Sequence, residues 1–179
     1  MKFTPLKIPD VILIQPQVFE DSRGFFYEAY NQSVFAAHGI KDSFAQDNLS
    51  LSSKGVVRGL HYQVPPKAQS KLVRVLKGSI LDVVVDIRKS SKTFGQHVAG
   101  RISAEKKEML YVPAGFAHGF CALEDDTEVM YKVSELYSKD HERGILWNDP
   151  SLAIEWPHFH FILSDKDQKF PLLKQALTF

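Results

Sequence analysis

The chain has 179 residues, and its 22 Lys+Arg against 21 Asp+Glu leave a formal net charge of +1, which excludes an overall basic footprint for nucleic acid or an anionic membrane. Any anionic ligand must be held by local cations, which favours a small phosphorylated molecule over a polymer. With 44% apolar and 24% charged residues, the composition is that of a globular protein whose length fits one domain over residues 1–179.

The single cysteine, Cys121, rules out an internal disulfide and suits a reducing compartment. Cys121 itself reads as a small buried apolar residue. The opening MKFTPLKIPD lacks the apolar h-region of a signal peptide, and no apolar run reaches membrane-spanning length. The expected location is the cytoplasm.

In chain order, Arg23 comes first as a candidate ligand, in DSRGFF. Asn31 is placed to cap a short helix through Phe35 and Ala37, ended by Gly39. Arg58 follows in VVRGLHY, and His61 in GLHYQ. Each arginine precedes a glycine, which leaves room for a pyrophosphate to approach the backbone; isolated arginines are also ordinary surface residues.

KLVRVL, which opens with Lys71, and ILDVVVDIR read as strands. In the second, Leu81, Val83, Val85 and Ile87 alternate with Asp82, Asp86 and Arg88, and this period of two predicts one buried face. Lys77-Gly78-Ser79 supplies a turn, so the two strands are expected to pair as a hairpin. EMLYVP, HGFCAL and TEVMYKVSEL continue the series at short spacing. Near the end, Ser164 is placed to cap a last helical stretch that Pro171 interrupts or distorts. The predicted fold is an all-β antiparallel sandwich or barrel with a few short peripheral helices.

Within YVPAGFAHGF, Pro113, Gly115 and His118 form a PxGxxH pattern between two strands, a signature common in cupin-type jelly rolls. The proline and glycine fix a turn, and the next strand aims His118 into the barrel mouth or into a hydrogen-bonded core position. A metal-binding cupin also needs an HxH…E cluster on an earlier strand. Only His61 stands there, and the HxH of His158 and His160 comes after the turn, beside Pro157. No metal is expected.

Without a metal, the two histidines suit proton transfer beside a carbonyl. That chemistry needs a base for the α-proton, a cation or donor for the enolate oxygen, and an acid on the opposite face. Histidine suits the base, and lysine, with Lys71 as the candidate, or a second histidine suits the enolate oxygen. Tyrosine suits the acid, since it donates at neutral pH without competing as a base. Tyr131 and Tyr137 share strand parity with Val129 and Val133 and, on a regular strand, lie up to about 20 Å apart; core packing is the alternative for both. Asp167 in LSDKDQ could orient His61 or serve as a helix N-terminal carboxylate after Ser164.

Taken together, FEDSRGFFYEAY, FAQDNLSLSSKGVVRGLHYQ, QSKLVRVLKGSILDVVVDIRKSSKTFGQ, YVPAGFAHGF, YKVSELYSKDHERGILWNDP and LSDKDQ resemble the dTDP-4-dehydrorhamnose 3,5-epimerase family. They occur in the family's order over about residues 19–170. The resemblance implies a cupin-like jelly-roll homodimer without metal or organic cofactor. It implies His61 as base with Asp167 behind it, Tyr131 as acid, Lys71 at the enolate and His118 beside the sugar. Arg23, Glu28, Gln46, Asn48, Arg58, Glu142 and Lys166 match ligand-contacting positions, and Tyr137 matches an aromatic that stacks on thymine. The segment carrying Arg23 is expected to cross into the partner's site.

The implied reaction inverts C3 and C5 of dTDP-4-dehydro-6-deoxy-D-glucose, giving dTDP-4-dehydro-L-rhamnose for dTDP-L-rhamnose synthesis. The rivals are a C3-only epimerase, a non-catalytic nucleotide-sugar-binding jelly roll and a metal-dependent cupin oxygenase.

Overall fold

The computed structural model describes residues 1–179. After β1 (Lys2–Pro5) and β2 (Ile12–Gln15), a small hairpin of β3 (Phe19–Asp21) and β4 (Gly24–Phe26) leads to helix α1 (Gln32–Ala37). The main strands follow: β5 (Gln46–Ser52), β6 (Val57–Gln63), β7 (Lys71–Lys77), β8 (Ser79–Asp86), β9 (His97–Ser103), β10 (Met109–Val112), β11 (Phe116–Ala122), β12 (Thr127–Val133) and the short β13 (Glu142–Gly144). No helix is long and apolar enough to cross a membrane.

The strands form a six-stranded sheet ordered β1-β2-β10-β7-β12-β5 and a five-stranded sheet ordered β13-β6-β11-β8-β9. Every pairing within them is antiparallel. The sheets pack face to face as a cupin-like jelly roll. Val73, Val75, Leu110 and Val129 from one meet Ile80, Val84, Ile102, Phe116 and Phe120 from the other in the largest core cluster. Burying such side chains is the main favourable contribution to folding.

The expected β7–β8 hairpin does not form. β7 pairs with β10 and β12, while β8 pairs with β11 and β9 in the other sheet. Gly78 (φ +77°) turns the chain from one sheet to the other where a Cβ would stand 2.5 Å from Thr127 Oγ1. The chain does turn at Lys77-Gly78-Ser79, but a local turn carries no information about which sheet receives the next strand.

The single buried face expected for β8 is likewise corrected: both faces are buried. Ile80 and Val84 face the inter-sheet core, whereas Val83, Val85 and Ile87 pack outward against Ile145, Leu152 and Leu173 of the C-terminal segment. Asp82 and Asp86, on the core-side parity, are buried as well. Asp86 is bound by Arg88, Ser91 and Thr93.

The outer face of the six-stranded sheet is covered near α1, where Phe35 and Ile40 pack on Ile14, Leu72, Met109 and Tyr111. Asn31 caps this helix: its Oδ1 accepts from the Ser33 and Val34 amides at 3.1 and 3.3 Å. Gly39 stands just beyond at φ +89°. The stretch after Ser164 reduces to a 3₁₀ turn, Asp167–Lys169, and a second 3₁₀ turn, Leu173–Gln175, follows Pro171.

Candidate active site

β6 and β11 run side by side with His61 directly opposite His118. Their backbones meet closely at Gly59 and Gly119, where the register shifts: a Cβ on Gly119 would lie 2.7 Å from the Arg58 carbonyl oxygen and 2.9 Å from Gly59 Cα. Opposite these strands, β7 contributes Lys71 and β12 contributes Tyr131. All four side chains line one recess of about 730 Å³ that opens between the two sheets. Asn48, Arg58, Glu142, Lys166 and Asp167 line it too.

His61 Nε2 lies 2.6 Å from Asp167 Oδ1. A carboxylate only accepts, so Nε2 carries the hydrogen and Nδ1 of the neutral ring keeps its lone pair. Burial pushes the His61 pKa below the ordinary 6.5, and the pull of Asp167 in the other direction does not cancel it. The neutral, proton-accepting ring is thereby favoured. The Asp167 carboxylate engages His61, and its backbone amide donates to Ser164 Oγ at 3.1 Å where the 3₁₀ turn begins.

Lys71 opens β7, is 7% exposed, and donates to the His61 carbonyl oxygen at 3.2 Å. Burial pushes its pKa down to about 8, against the attraction of Asp82 and Glu142. The amine therefore stays mostly charged at neutral pH. Tyr131 is held on β12 opposite Asn48 of β5 and Val73 of β7. Burial raises the pKa of its phenol, so the hydroxyl keeps its proton.

A smaller recess of about 130 Å³ adjoins the first and shares Asn48, His61, Lys71, Tyr131 and Glu142 with it. Gln46 and Tyr137 belong to this recess. The expectation that Tyr137 continues the face of Tyr131 fails, because β12 ends at Val133 and the chain bends away. Gln63 pins the bend, donating to the Leu136 carbonyl at 3.2 Å and accepting from the Ser138 amide at 2.7 Å. The Tyr137 amide donates to Gln46 Oε1 at 3.0 Å, and Gln46 Nε2 donates to Asn48 Oδ1 at 2.8 Å. Glu142 joins the two sides of the mouth: it accepts from Tyr137 Oη at 3.1 Å and from Lys166 Nζ at 2.8 Å.

Arg58 sits at the rim with Nε donating to Ser52 Oγ and Nη2 to the Leu51 carbonyl, both at 3.1 Å. These contacts position the guanidinium without neutralising it. Two predicted ligand residues are not brought here. Arg23 lies at the tip of the β3–β4 hairpin, 88% exposed in its side chain and paired with Asp21 at 2.6 Å. Glu28 accepts from Asn31 Nδ2 at 3.1 Å. His158 and His160 line neither recess.

Asp82 is the residue that sequence reasoning missed. Its Oδ2 lies 2.8 Å from His118 Nε2, so the site holds two imidazole–carboxylate pairs. The signal was an aspartate inside an apolar strand, on the parity opposite Val83 and Val85.

With an imidazole from one sheet, a phenol from the other and an ammonium among them, the recess can remove a proton from one side of a ligand and return one from the other. Arg58 and Lys166 supply cations for an anionic substituent.

The family model described as dTDP-4-dehydrorhamnose 3,5-epimerase matches residues 5–175. The chain is 56% identical to the dTDP-4-dehydrorhamnose 3,5-epimerase of Shigella flexneri, over 95% of this chain and 96% of the relative. Among solved structures, it is similar to the dTDP-4-dehydrorhamnose 3,5-epimerase of Bacillus anthracis with TDP and PPi bound: TM-score 0.93, 52% identity, 96% of this chain and 98% of the other. It is also similar to the dTDP-6-deoxy-D-glucose-3,5-epimerase of Legionella pneumophila in complex with dTDP-4-keto-L-rhamnose: TM-score 0.94, 43% identity, 97% and 93% covered. Over nearly its whole length, then, the chain belongs to the dTDP-4-dehydrorhamnose 3,5-epimerase family.

Proposed function

We propose that this protein epimerises C3 and C5 of dTDP-4-dehydro-6-deoxy-D-glucose to dTDP-4-dehydro-L-rhamnose, in the cytoplasm and on the path to dTDP-L-rhamnose. The observation that carries the reading is the approach of His61 and Tyr131 to one recess from opposite sheets, with Lys71 beside them.

The C4 ketone acidifies the protons on C3 and C5, so no external electron sink is required. His61 takes one of these protons, and the electron pair moves into the C4 carbonyl to give an enolate. The Lys71 ammonium stabilises the enolate oxygen. Tyr131 then delivers a proton to the opposite face, and solvent restores the proton on the phenol and removes the one on His61. The same steps repeat at the second carbon. His118 lies beside the sugar, Arg58 and Lys166 bind the diphosphate, and Tyr137 with Gln46 and Asn48 receives the nucleoside.

Arg23 and Glu28 fit this scheme in a homodimer in which the N-terminal segment of one copy completes the site of the other. The exposed Phe19, Phe25 and Phe26 of the β3–β4 hairpin favour that arrangement.

Incubation with the 4-keto sugar nucleotide in D₂O tests the reaction. The expected result is deuterium at both C3 and C5 with inversion at both centres. Label at C3 alone would replace the double epimerase by a C3-only enzyme. Tight binding with no exchange would leave a binding protein.

A further inference from the structure

Phe170 stands three residues after Asp167, where the 3₁₀ turn Asp167–Lys169 ends. The chain is pinned on both sides of it: the Lys169 amide donates to the Lys166 carbonyl at 3.0 Å, and the Leu146 amide donates to the Pro171 carbonyl at 2.9 Å. From there the Phe170 ring meets the His61 imidazole edge to face, with centroids 5.6 Å apart and planes at 71°. The ring also rests on Gly144, which β13 sets directly opposite His61 of β6. A Cβ on Gly144 would stand 2.5 Å from each of Cδ2, Cε2 and Cζ of Phe170. Gly144 keeps an ordinary φ, so the backbone does not call for glycine there; the ring does.

The hydrogen bond from His61 Nε2 to Asp167 fixes one atom of the imidazole. The torsion that sets the plane of a histidine ring is broad, so a second contact is needed to hold that plane. The same turn supplies both contacts, a carboxylate at one edge and an aromatic ring on the flank. Phe170 lines neither recess, so it acts on the site through His61 and not through the ligand.

We infer that Phe170 is a positioning residue for the His61 imidazole: its ring holds the imidazole plane against Asp167 and keeps water off the flank. This inference rests on the proposed reaction, in which His61 is the base, and deepens it. The titratable groups around His61 are Asp167 and Lys166 from the turn, Lys71 from β7, His118 from β11, Tyr131 from β12 and Glu142 from β13. Phe170 carries no charge, so replacing it changes cover and alignment while every one of these groups stays.

The test follows the His61 imidazole by NMR titration in the ligand-free protein, with steady-state kinetics beside it, for the unaltered protein and Phe170→Ala. Burial is the foremost cause holding the His61 pKa below 6.5, so water admitted on the flank should raise it. The expected rise is about half a pH unit or more, a small part of what full burial does. The acid limb of kcat/KM, which reports the free enzyme, should rise with it. The plateau kcat should fall about tenfold, against the roughly 100-fold that a 1 Å misplacement costs. KM should stay where it is.

A merely structural role predicts an equal loss at every pH, and an unmoved His61 titration in folded Phe170→Ala overturns the inference. A raised titration with kcat unchanged also overturns it, since the ring would then cover the imidazole without holding it. If Phe170→Ala fails to fold, Phe170→Leu goes through the same measurements, with the same directions expected at smaller size. Failure of both to fold would assign Phe170 to stability alone and overturn the inference. Absence of epimerisation in the unaltered protein would overturn the proposed reaction and this inference with it. An active protein whose His61 titration ignores Phe170 overturns only the inference.

Discussion

His61 and Tyr131 reach one recess from opposite sheets, the imidazole from β6 and the phenol from β12. In the proposed reaction the two-sheet architecture is what puts a base and an acid on two sides of a ring, which neither sheet alone could do. Lys71 belongs to the phenol's sheet yet hydrogen-bonds to the backbone of His61. That contact spans the gap and fixes the ammonium relative to the base.

Removing the phenol should separate proton removal from inversion. In Tyr131→Phe the base and the enolate-stabilising lysine are intact, so His61 can still exchange a substrate proton with solvent on its own side. Net epimerisation should fall by about 10²–10⁴-fold, the usual worth of a general acid. Deuterium wash-in without inversion should survive in comparison. Full epimerisation by this variant would remove Tyr131 from the acid role.

The pH profile should be bell-shaped, with limbs that belong to the coupled site. His61 must be neutral to accept a proton, so activity falls as the pH drops through a value below the ordinary 6.5. Lys71 must be charged, so activity also falls as the pH rises through about 8. Asp167→Asn should shift the acid limb to still lower pH, because the carboxylate raises the pKa of His61. Its plateau should drop by about 10²–10⁴-fold as the imidazolium loses its counter-charge. An acid limb unmoved in Asp167→Asn would detach it from His61.

Much of this arrangement was legible in the chain, and the limits have physical causes. YVPAGFAHGF gave a turn and an inward-aimed histidine, and in the fold β10 ends at Val112, Gly115 takes φ +89° and His118 lines the recess. Period-two alternation found β8 and sorted its side chains correctly between two faces. It could not tell that both faces would be buried: residues 145–179 cover the face of Val83 and Val85, while the six-stranded sheet covers the face of Ile80, Asp82 and Val84, so Asp82 looked solvated when it is buried. The 2.6 Å contact of His61 with Asp167 joins positions 106 residues apart, which no local pattern encodes. Tyr137 was misplaced for a related reason: side-chain parity lasts only while the strand does, and β12 stops at Val133.

Arg58 should act on binding rather than on chemistry. Its contacts are to a hydroxyl and a carbonyl, so the guanidinium keeps its full charge for a diphosphate. A charge-assisted hydrogen bond is worth about 1.5–3 kcal/mol, so Arg58→Ala should raise KM by about 10–100-fold. With the reacting groups untouched, kcat should change little. Steady-state kinetics check this, and a loss confined to kcat would move Arg58 from the diphosphate to the reacting centre.

The seam between β6 and β11 offers a test of how far catalysis depends on backbone contact. A methyl group on Gly119 would sit 2.7 Å from the Arg58 carbonyl oxygen and 2.9 Å from Gly59 Cα, so the strands must part or shift. Overpacking of this kind costs about 1–3 kcal/mol, and in a chain of this length each kcal/mol lowers Tm by about 2–4 °C. Gly119→Ala should show that drop in a thermal melt. It should also lose epimerase activity at temperatures where it stays folded, because His61 and His118 face each other across the displaced seam. Gly100→Ala on β9 is the control, since its added methyl meets nothing within 4 Å, and it should melt and turn over like the unaltered protein. Equal melting of the two variants would mean that β6 and β11 tolerate separation, and that the close glycine pair does not set the spacing of the two imidazoles.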